Sequence, residues 1–576
     1  MNHDWHSRAL AALARGDALA AEALARAAMT PGDAEPALVL GVALQSRNDH
    51  PGAVVALQDA YTAAPSSVPV RHHLALSHRA LGNLVEAESL WRSVLHDAPR
   101  TTQAQAALGN LLRQRALAGE ESGRCLAEAR TLHERAFTEA PDEPGHAHNL
   151  FSTLAAAGAF AEASRLFVRA ASQRQDAAHL HELAARALVR TGHFAEAQAH
   201  AEQALRLAPS QTNARISLAT AAKELGQTDR AEAELEAACR EAPGPTVAAF
   251  NLAQLRCYRG RWAEGFAGFA ADRAHQVAQG TLEAPGGARL WGGQPAPDAH
   301  LLLVCEQGLG DTLQFIRYAA CARALTGRVT VVPPRGFPPG RPWLASLLRS
   351  VPGVDEVVAP GAPWPRAELF VPLFSLPHVC GPLPERLFAP ATYLQAEPRR
   401  VAEWAAQLGP ADGRLRVAVA WQGNPQYQAD ARRSAPLAAF APLVAQAGGR
   451  VRWLSVQKNH GREQLAALAR EGGLAAIEDW GARLDEGPEA FIDTAAFLMN
   501  VDGLVSTDTA LPHLAGALGR PTSLLLAHVP DWRWQERGTR SPFYPSLQLF
   551  RQAAPGDWAS ALARVAHALS NQAAGR

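Results

Sequence analysis

The stretch Leu301–Tyr318, LLLVCEQGLGDTLQFIRY, predicts a strand, a glycine turn and a helix in immediate succession. Its first five residues form an apolar run of the length typical of a buried parallel strand. Gly308 and Gly310 allow the backbone to approach a ligand closely. Asp311 stands where the helix is predicted to begin, so it either only caps the helix or also takes part in chemistry. A turn that follows a parallel strand lies at the C-terminal edge of the sheet, and this is the edge at which open α/β folds bind ligands. The candidate residues of this loop are Gln307, Gly308, Gly310 and Gln314.

Length and composition exclude several classes of protein. The 576 residues exceed what one hydrophobic core holds, so about three compact units are expected. The formal net charge is zero, which argues against an electrostatic nucleic-acid binder. The chain has neither a signal peptide nor an apolar run of membrane-spanning length, and we therefore expect a cytoplasmic protein. The six cysteines lack CxxC spacing, so neither disulfides nor a zinc site are indicated.

Prolines mark a repeat through the first half of the chain. Pro65 and Pro99 lie 34 residues apart, as do Pro209 and Pro243. Pro141 lies 42 residues after Pro99, which predicts an insertion near residues 118–124. A 34-residue helical period is typical of tetratricopeptide repeats, or TPRs. We therefore predict that residues 1–276 form an array of about eight helical hairpins.

The concave face of such an array commonly binds peptide segments. Asn110, Asn149, Asn213 and Asn251 fall near corresponding positions of the first helices. These side chains either hydrogen-bond a peptide backbone or are ordinary polar surface. The array contains no evident catalytic constellation.

Residues 277–299 are rich in glycine and proline and are predicted to be a linker. The chain beyond them alternates short apolar runs with amphipathic stretches, which predicts parallel sheets with right-handed crossovers. We expect two Rossmann-like domains, residues 300–400 and 401–576. Two α/β domains with facing loop edges would form a cleft between them.

A polar segment in the second domain precedes a predicted helix. Thr507, Asp508 and Thr509 come immediately before it, and Pro512 falls in its first turn. Free amides and the helix dipole at such a point can hold a phosphate. Lys458 and Arg433 would add positive charge. The alternative is a capped helix with surface cations nearby. Trp532 and Trp534, on either side of Arg533, either stack on a ligand or pack a loop.

Five segments occur in order between residues 301 and 534: EQGLGDTLQFIRY, WQGNPQYQADARRS, SVQK, STDTALPHLAGALGRPT and PDWRW. Together they resemble the heptosyltransferase-like glycosyltransferases of the GT-B fold. The whole chain resembles bacterial TPR-glycosyltransferase fusions that modify flagellin. The resemblance implies an all-α TPR superhelix followed by a GT-B glycosyltransferase of two Rossmann-like α/β domains. Residues 300–400 would be the acceptor side and residues 401–576 the nucleotide-sugar side.

The resemblance also implies roles for individual residues. Asp311 matches the aspartate of the GD turn, a candidate general base, and the DTxxxH segment belongs to the nucleotide-sugar site. Leu511 and Pro512 depart from the smaller residues usual before the histidine, which affects how the helix begins. Neither a cofactor nor a metal ion is expected, and the implied reaction is inverting. The candidate donor-binding residues are Gln422, Arg433, Ser434, Lys458, Thr507, Asp508, Thr509 and His513.

Three functions are consistent with the sequence. The first is a protein O-glycosyltransferase that moves a sugar from a nucleotide-sugar to Ser or Thr of a polypeptide, flagellin being the expected acceptor, which the TPR array recruits. The second is a lipopolysaccharide heptosyltransferase whose repeats dock other machinery. The third is a non-enzymatic TPR scaffold with an inactive transferase-like domain. The presence of Asp311, Lys458 and Asp508 argues against the third.

Overall fold

The computed structural model describes residues 4–334, 342–381, 390–427, 429–470 and 477–574. The chain divides into two compact units, residues 1–221 and 222–576. The first unit is entirely helical where it is described. The second contains further helices and two parallel sheets.

Consecutive helices of the first unit pack against each other as hairpins. A residue with positive φ lies in the turn within successive hairpins, including Gly158 and Gly192 (φ 70° and 81°). Glycine suits these positions because it has no Cβ to clash in the left-handed region. The helices are α1 Asp4–Ala14, α2 Ala18–Ala28, α3 Ala34–Ser46, α4 His50–Ala63, α5 Val68–Ala80, α6 Leu84–Asp97, α7 Thr102–Leu117, α8 Ser122–Glu139, α9 Pro144–Ala156, α10 Phe160–Gln173, α11 Ala178–Thr191, α12 Phe194–Leu207 and α13 Thr212–Glu224.

The predicted insertion lengthens two helices. α7 has 16 residues and α8 has 18, whereas α9 and α10 have 13 and 14. Only four residues separate α7 from α8. The extra residues near 118–124 therefore extend one hairpin without forming a long loop.

The repeats continue into the second unit. Three more helices follow: α14 Thr228–Glu241, α15 Val247–Tyr258 and α16 Trp262–Ala278. The last of these helices ends at Ala278, two residues beyond the predicted boundary at residue 276, while the division between compact units falls after Ala221. The reason is that α15 and α16 pack against the α/β part of their own unit.

The first sheet is parallel, with strand order β1-β5-β2-β3-β4. Its strands are β1 Arg289–Leu290, β2 Ala296–Val304, β3 Thr326–Val332, β4 Glu356–Val357 and β5 Leu369–Pro372. Strand β1 lies inside the predicted linker and pairs with β5. The next residue, Trp291, is buried, and its backbone N–H donates to the Phe370 carbonyl oxygen (2.8 Å). Residues 277–299 therefore contribute to the sheet as well as connecting the repeats to it.

The second sheet is also parallel, with strand order β11-β10-β9-β6-β7-β8. Its strands are β6 Leu415–Ala420, β7 Val451–Ser455, β8 Ile477–Asp479, β9 Gly503–Thr507, β10 Thr522–Leu526 and β11 Leu547–Arg551. The prediction of parallel α/β sheets in this half is confirmed. The second core includes Trp421, Phe440 and Trp453, and the last helix packs into it through Leu562 and Val565.

Eleven helices accompany the sheets in the described part of the second unit. They are α17 Leu309–Phe315, α18 Ala319–Leu325, α19 Ala345–Arg349, α20 Leu376–Val379, α21 Pro398–Leu408, α22 Asp430–Arg433, α23 Ala441–Ala447, α24 Glu463–Arg470, α25 Ile492–Leu498, α26 Ala510–Ala517 and α27 Trp558–Ala574. A short 3₁₀ turn, Trp532–Trp534, follows β10.

An aromatic cluster joins α16 to both sheets. We define it as Trp262, Phe266, Phe269, Phe315, Phe374, Trp532 and Phe543. The ring centroid of Phe269 lies 4.7 Å from that of Phe374 and 5.4 Å from that of Trp532. Trp262 contacts Phe543 edge-on, with centroids 5.2 Å apart. Aromatic rings supply much of the apolar area in such contacts, so the last repeat is part of the α/β core.

A buried ion pair accompanies the aromatic cluster. Arg273 on α16 donates through Nε to Glu306, which follows β2, at 3.2 Å, and both side chains are 5% exposed. The Glu306 carboxylate also accepts the backbone N–H groups of Leu373 (3.0 Å) and Phe374 (3.3 Å). Burial raises the pKa of Glu306 to about 7, against the opposing effect of Arg273. Removing Arg273 would leave this carboxylate buried without its cation.

We expect a fragment of residues 222–576 to fold and a fragment of residues 290–576 to fail. The shorter fragment lacks α16, so Phe374 and Trp532 lose their aromatic partners and Glu306 loses Arg273. Exposed aromatic area of this kind leads to aggregation. Expression of both fragments, followed by near-UV circular dichroism and thermal unfolding, tests the prediction. Cooperative unfolding of residues 290–576 would show that the last repeat is dispensable.

Candidate functional site

Asp311 lies in the first turn of α17, at the C-terminal edge of the first sheet. Helix α17 begins at Leu309, with Gly308 as its N-cap residue, so Asp311 is the third helical residue. The sequence-based placement of Asp311 at the N-cap is therefore wrong by three positions. Its Oδ2 still accepts the Gly308 backbone N–H (3.1 Å), which is how an acidic residue in this place stabilises a helix start.

The other carboxylate oxygen of Asp311 pairs with Arg533. The Arg533 Nη2 group donates to Asp311 Oδ1, and their side chains are 11% and 27% exposed. Arg533 also donates through Nη1 to Asp531 Oδ1 (2.9 Å) and through Nε to Gln314 Oε1 (2.6 Å). Its guanidinium carbon lies 4.2 Å from the ring centroid of Trp532. One guanidinium thus links a helix of the first sheet to a turn of the second.

The Asp531–Arg533 contact is built into its own turn. Asp531 is the N-cap of the 3₁₀ turn, and its Oδ1 accepts the Arg533 backbone N–H (3.0 Å) as well as Nη1. Pro530 precedes it. This short local loop orients the arginine toward α17.

Helix α26 begins at the C-terminal edge of the second sheet. Thr509 is its N-cap, and Thr509 Oγ1 accepts the Leu511 backbone N–H (3.3 Å). Thr507, the last residue of β9, is fully buried, and its Oγ1 has no hydrogen-bond partner in the described chain. The predicted capped helix start is therefore present at the predicted residues.

Asp508 and Arg433 lie near each other beside this helix start. Burial raises the pKa of Asp508 to about 6, the charge of Asp531 adds to this rise, and Arg433 and Arg533 oppose it. Arg433 donates through Nε to Asp430 Oδ1 (3.2 Å), and its guanidinium carbon lies 4.4 Å from the ring centroid of Tyr427. We call Asp311, Gln314, Arg433, Asp508, Asp531 and Arg533 the charged cluster.

Helices α17 and α26 pack directly against each other. A Cβ atom added at Gly310 would lie 3.4 Å from both Ala510 Cα and His513 Cδ2, so this glycine brings the two helices to van der Waals distance. The GLGD turn and the helix that follows the DT segment are thus adjacent in space, although about 200 residues separate them in the sequence.

His513 is a buried, neutral residue in this packing. Its Nδ1 lies 3.0 Å from the hydroxyl oxygen of Tyr544, and its ring stacks on Trp534 with centroids 5.3 Å apart. Burial, aided by Arg533 and other cations, lowers the pKa of His513 well below its usual value. A Cβ at Gly516 would meet the Tyr544 ring at 2.4 Å, so the glycine of HLAGALG leaves space for this tyrosine.

Three of the donor-site candidates have partners outside the charged cluster. Lys458 Nζ donates to the backbone carbonyl oxygens of Leu484 and Asp485, the latter at 2.6 Å. Gln422 Oε1 accepts from Gln464 Nε2 (2.9 Å). Ser434 Oγ accepts the Gly423 backbone N–H (3.0 Å) and so fixes the loop from which Arg433 projects.

The loop candidates of the first sheet differ in exposure. Gln307 and Gly308 are exposed. Gln314 is fully buried, and its Nε2 has no hydrogen-bond partner in the described chain, whereas its Oε1 accepts from Arg533. Gln314 is therefore a member of the charged cluster with an unused buried donor.

Sequence reasoning missed Arg533 and Asp531 as site residues. The PDWRW segment drew attention through its tryptophans, while its arginine pairs with Asp311 and the charge of its aspartate raises the pKa of Asp508. The signal available was an acidic and a basic residue in one short segment between aromatic residues. No group of three or more His, Cys, Asp or Glu side chains in the described part of the chain is arranged to hold a metal ion. None of the described helices is long and apolar enough to cross a lipid bilayer.

Comparison with known proteins identifies the repeats. A family model described as tetratricopeptide repeat matches residues 188–255. The chain is 28% identical over 302 residues to "Protein FlbA" of Caulobacter vibrioides, which covers 49% of this chain and 48% of that protein. The chain thus spans about half the length of the curated relative it matches. The prediction of tetratricopeptide repeats in the N-terminal region is confirmed.

Two solved structures are similar to parts of this chain. A tetratricopeptide repeat protein from Parabacteroides merdae is 16% identical, with 43% of this chain and 96% of that chain covered and a TM-score of 0.34. PilF of Pseudomonas aeruginosa is 18% identical, with coverage of 37% and 94% and a TM-score of 0.31.

We expect Asp508→Asn to remove a pH-dependent component of stability. The folded-state pKa of Asp508 is raised, so its ionised form destabilises the fold above about pH 6, and protonation relieves this as the pH falls. Relative to Asp508→Asn, the wild-type melting temperature should therefore rise by about 2–4 °C between pH 7.5 and pH 5. Differential scanning fluorimetry across this range measures the difference.

Asp412→Asn is the matched control for this measurement. Arg414 holds the pKa of Asp412 at about 2, so Asp412 stays ionised between pH 5 and 7.5. Asp412→Asn should therefore change the melting temperature, relative to wild type, by an amount that is the same at every pH in that range. If the difference in melting temperature between Asp508→Asn and wild type were also independent of pH, that result would contradict a raised pKa of Asp508.

Proposed function

We propose that this protein is a GT-B glycosyltransferase that moves a sugar from a nucleotide-sugar to a hydroxyl of a polypeptide. The observation that carries the proposal is the meeting of α17 and α26 at the C-terminal edges of two parallel sheets, with the charged cluster between them. Carboxyl edges of parallel strands are where α/β proteins bind ligands. Sugar transfer needs a carboxylate that accepts the proton of the acceptor hydroxyl and groups that bind the donor's phosphates, and the two sheets can supply one each.

The donor would bind on the side of the second sheet. Arg433 supplies a guanidinium, and the Thr509-capped start of α26 supplies backbone amides with the positive end of the helix dipole. These groups can stabilise the negative charge that develops on a departing diphosphate. They do so without a metal ion, in keeping with the resemblance to heptosyltransferase-like enzymes.

The acceptor would be activated from the side of the first sheet. Asp311 is partly exposed and lies in the first turn of α17, where it can reach a bound hydroxyl, whereas Asp508, also partly buried, lies directly before the start of α26 on the donor side. A general base must lie within hydrogen-bond distance of the proton it removes. We therefore propose that Asp311 removes the proton of the acceptor hydroxyl and that Asp508 forms part of the donor-binding site.

The repeats favour a protein acceptor. Tetratricopeptide arrays present faces that hold peptide segments, and the last repeat is packed into the α/β core. We propose that the array recruits the polypeptide, flagellin being the acceptor that the sequence resemblance suggests. A lipopolysaccharide acceptor would leave this array without a direct role in binding substrate.

We expect Asp311→Asn to fold and to transfer sugar at least about 100-fold more slowly than wild type, because general-base catalysis typically contributes 10²–10⁴-fold. Asparagine retains an oxygen that can accept the Gly308 N–H, so the start of α17 should survive. Purified protein, co-expressed flagellin and a panel of UDP-, GDP-, CMP- and ADP-sugars are incubated, and the intact mass of flagellin is measured. Near-normal transfer by Asp311→Asn would restrict Asp311 to its structural contacts.

Arg433→Ala and Lys458→Ala should separate donor binding from loop stability. Arg433→Ala should weaken nucleoside diphosphate binding by roughly tenfold, the value of one charge-assisted hydrogen bond. Lys458→Ala should mainly lower the melting temperature, because two backbone carbonyl oxygens lose their donor. Calorimetry and thermal unfolding of both variants give the two readouts. Loss of affinity without loss of stability in Lys458→Ala would instead place that lysine on the donor, as the resemblance implies.

A further inference from the structure

Every nitrogen of the Arg533 guanidinium has a partner within the charged cluster. Nε contacts Gln314, Nη1 contacts Asp531 and Nη2 contacts Asp311. The side chain is 11% exposed and lies on the ring of Trp532. A phosphate that binds here must therefore either do without Arg533 or displace one of these partners.

The three partners differ in how easily they can leave. Asp531 is two residues away and also caps the turn that holds Arg533, so its contact is part of the local fold. Gln314 is fully buried in α17. Asp311 is 27% exposed and Asp531 is 30% exposed, so exposure does not distinguish them. Asp311 lies 222 positions from Arg533 in the sequence, and its other oxygen accepts the Gly308 amide of its own helix. The contact between Arg533 and Asp311 can therefore break without loss of the turn that holds Arg533.

We propose that Arg533 is a donor-binding residue that exchanges Asp311 for the diphosphate of the donor, so that Asp311 becomes available to the acceptor only when the donor is bound. This inference rests on the proposed glycosyltransferase function. One anion replaces another at the same guanidinium, so Arg533 is never left buried without a counter-charge, which would be costly.

The exchange couples binding of the donor to activation of the acceptor hydroxyl. Released from Arg533, the Asp311 carboxylate accepts the proton of the acceptor hydroxyl, and the hydroxyl oxygen forms a bond to the anomeric carbon. The bond between that carbon and the phosphate oxygen breaks, and its electron pair leaves on the diphosphate, beside Arg533 and Arg433. Without donor, Asp311 stays paired and does not activate a hydroxyl or a water molecule.

Two buried polar atoms support a ligand at this place. Gln314 Nε2 and Thr507 Oγ1 have no hydrogen-bond partner within the described residues, and both belong to residues that are 0% exposed. Gln314 contacts Arg533 directly, and Thr507 precedes Asp508. Buried donors without partners are rare in native proteins, and their position on both sides of the charged cluster fits a polar ligand that contacts both sheets.

The test is the affinity of the full chain for inorganic pyrophosphate and for UDP, GDP, CDP and ADP, measured by calorimetry. If Asp311 competes with the diphosphate for Arg533, then Asp311→Asn should bind the same probes more tightly, by roughly 2- to 5-fold, the value of a partly exposed ion pair. Arg533→Gln should bind them more weakly. Arg533→Lys, which keeps the charge between the two carboxylates, serves where Arg533→Gln does not fold.

The outcomes separate this inference from the function on which it rests. Asp412→Asn, a carboxylate paired with Arg414 within its own loop, should leave every affinity unchanged. Wild-type binding of a diphosphate, with unchanged or weaker binding by Asp311→Asn, would overturn the exchange and leave the glycosyltransferase proposal intact. Absence of binding by wild type to all probes would overturn both.

Discussion

The ion pairs of Arg533 connect the two parallel sheets of the second unit. Asp311 belongs to a helix of the first sheet, whereas Asp531 and Arg533 belong to a turn of the second. The pairing of one guanidinium with two carboxylates is favourable only where solvent is partly excluded and the partners are held in place. The charged cluster therefore depends on elements that fix each side chain independently, namely the Gly308 contact for Asp311 and the capped turn for Asp531.

The last helical repeat supplies much of that fixation. Trp532, next to Arg533, packs against Phe266 and Phe269 of α16, and Phe315 follows Gln314 on α17. Helix α16 also holds Glu306, through the ion pair with Arg273, and Glu306 lies two residues before Gly308. A displacement of α16 would thus move both the start of α17, which carries Asp311, and the turn that carries Arg533. The last repeat is therefore part of the same packed unit as the two sheets.

Local patterns account for what the sequence predicts well. Strand β2 ends at Val304, inside the apolar run Leu301–Cys305 that predicts a buried parallel strand, because continuous apolar runs of this length are easy to recognise. Strands β1 and β8, with two and three residues, carry no periodic signal and were not predicted. The pairing of Asp311 with Arg533 spans 222 positions, so only the fold brings the two together. The function and the roles of the individual site residues stay predictions.

The charge balance of the cluster limits what it can bind. Asp311, Asp508 and Asp531 face two guanidinium groups, Arg433 and Arg533, while His513 is neutral. If all three carboxylates were ionised, a diphosphate would enter a site whose negative charge already exceeds its positive charge. The pKa of Asp508 lies at about 6, close enough to neutral pH that an approaching anion would raise it further and favour proton uptake. In the exchange that we propose, release of Asp311 would free the cation, and protonation of Asp508 would remove a competing negative charge.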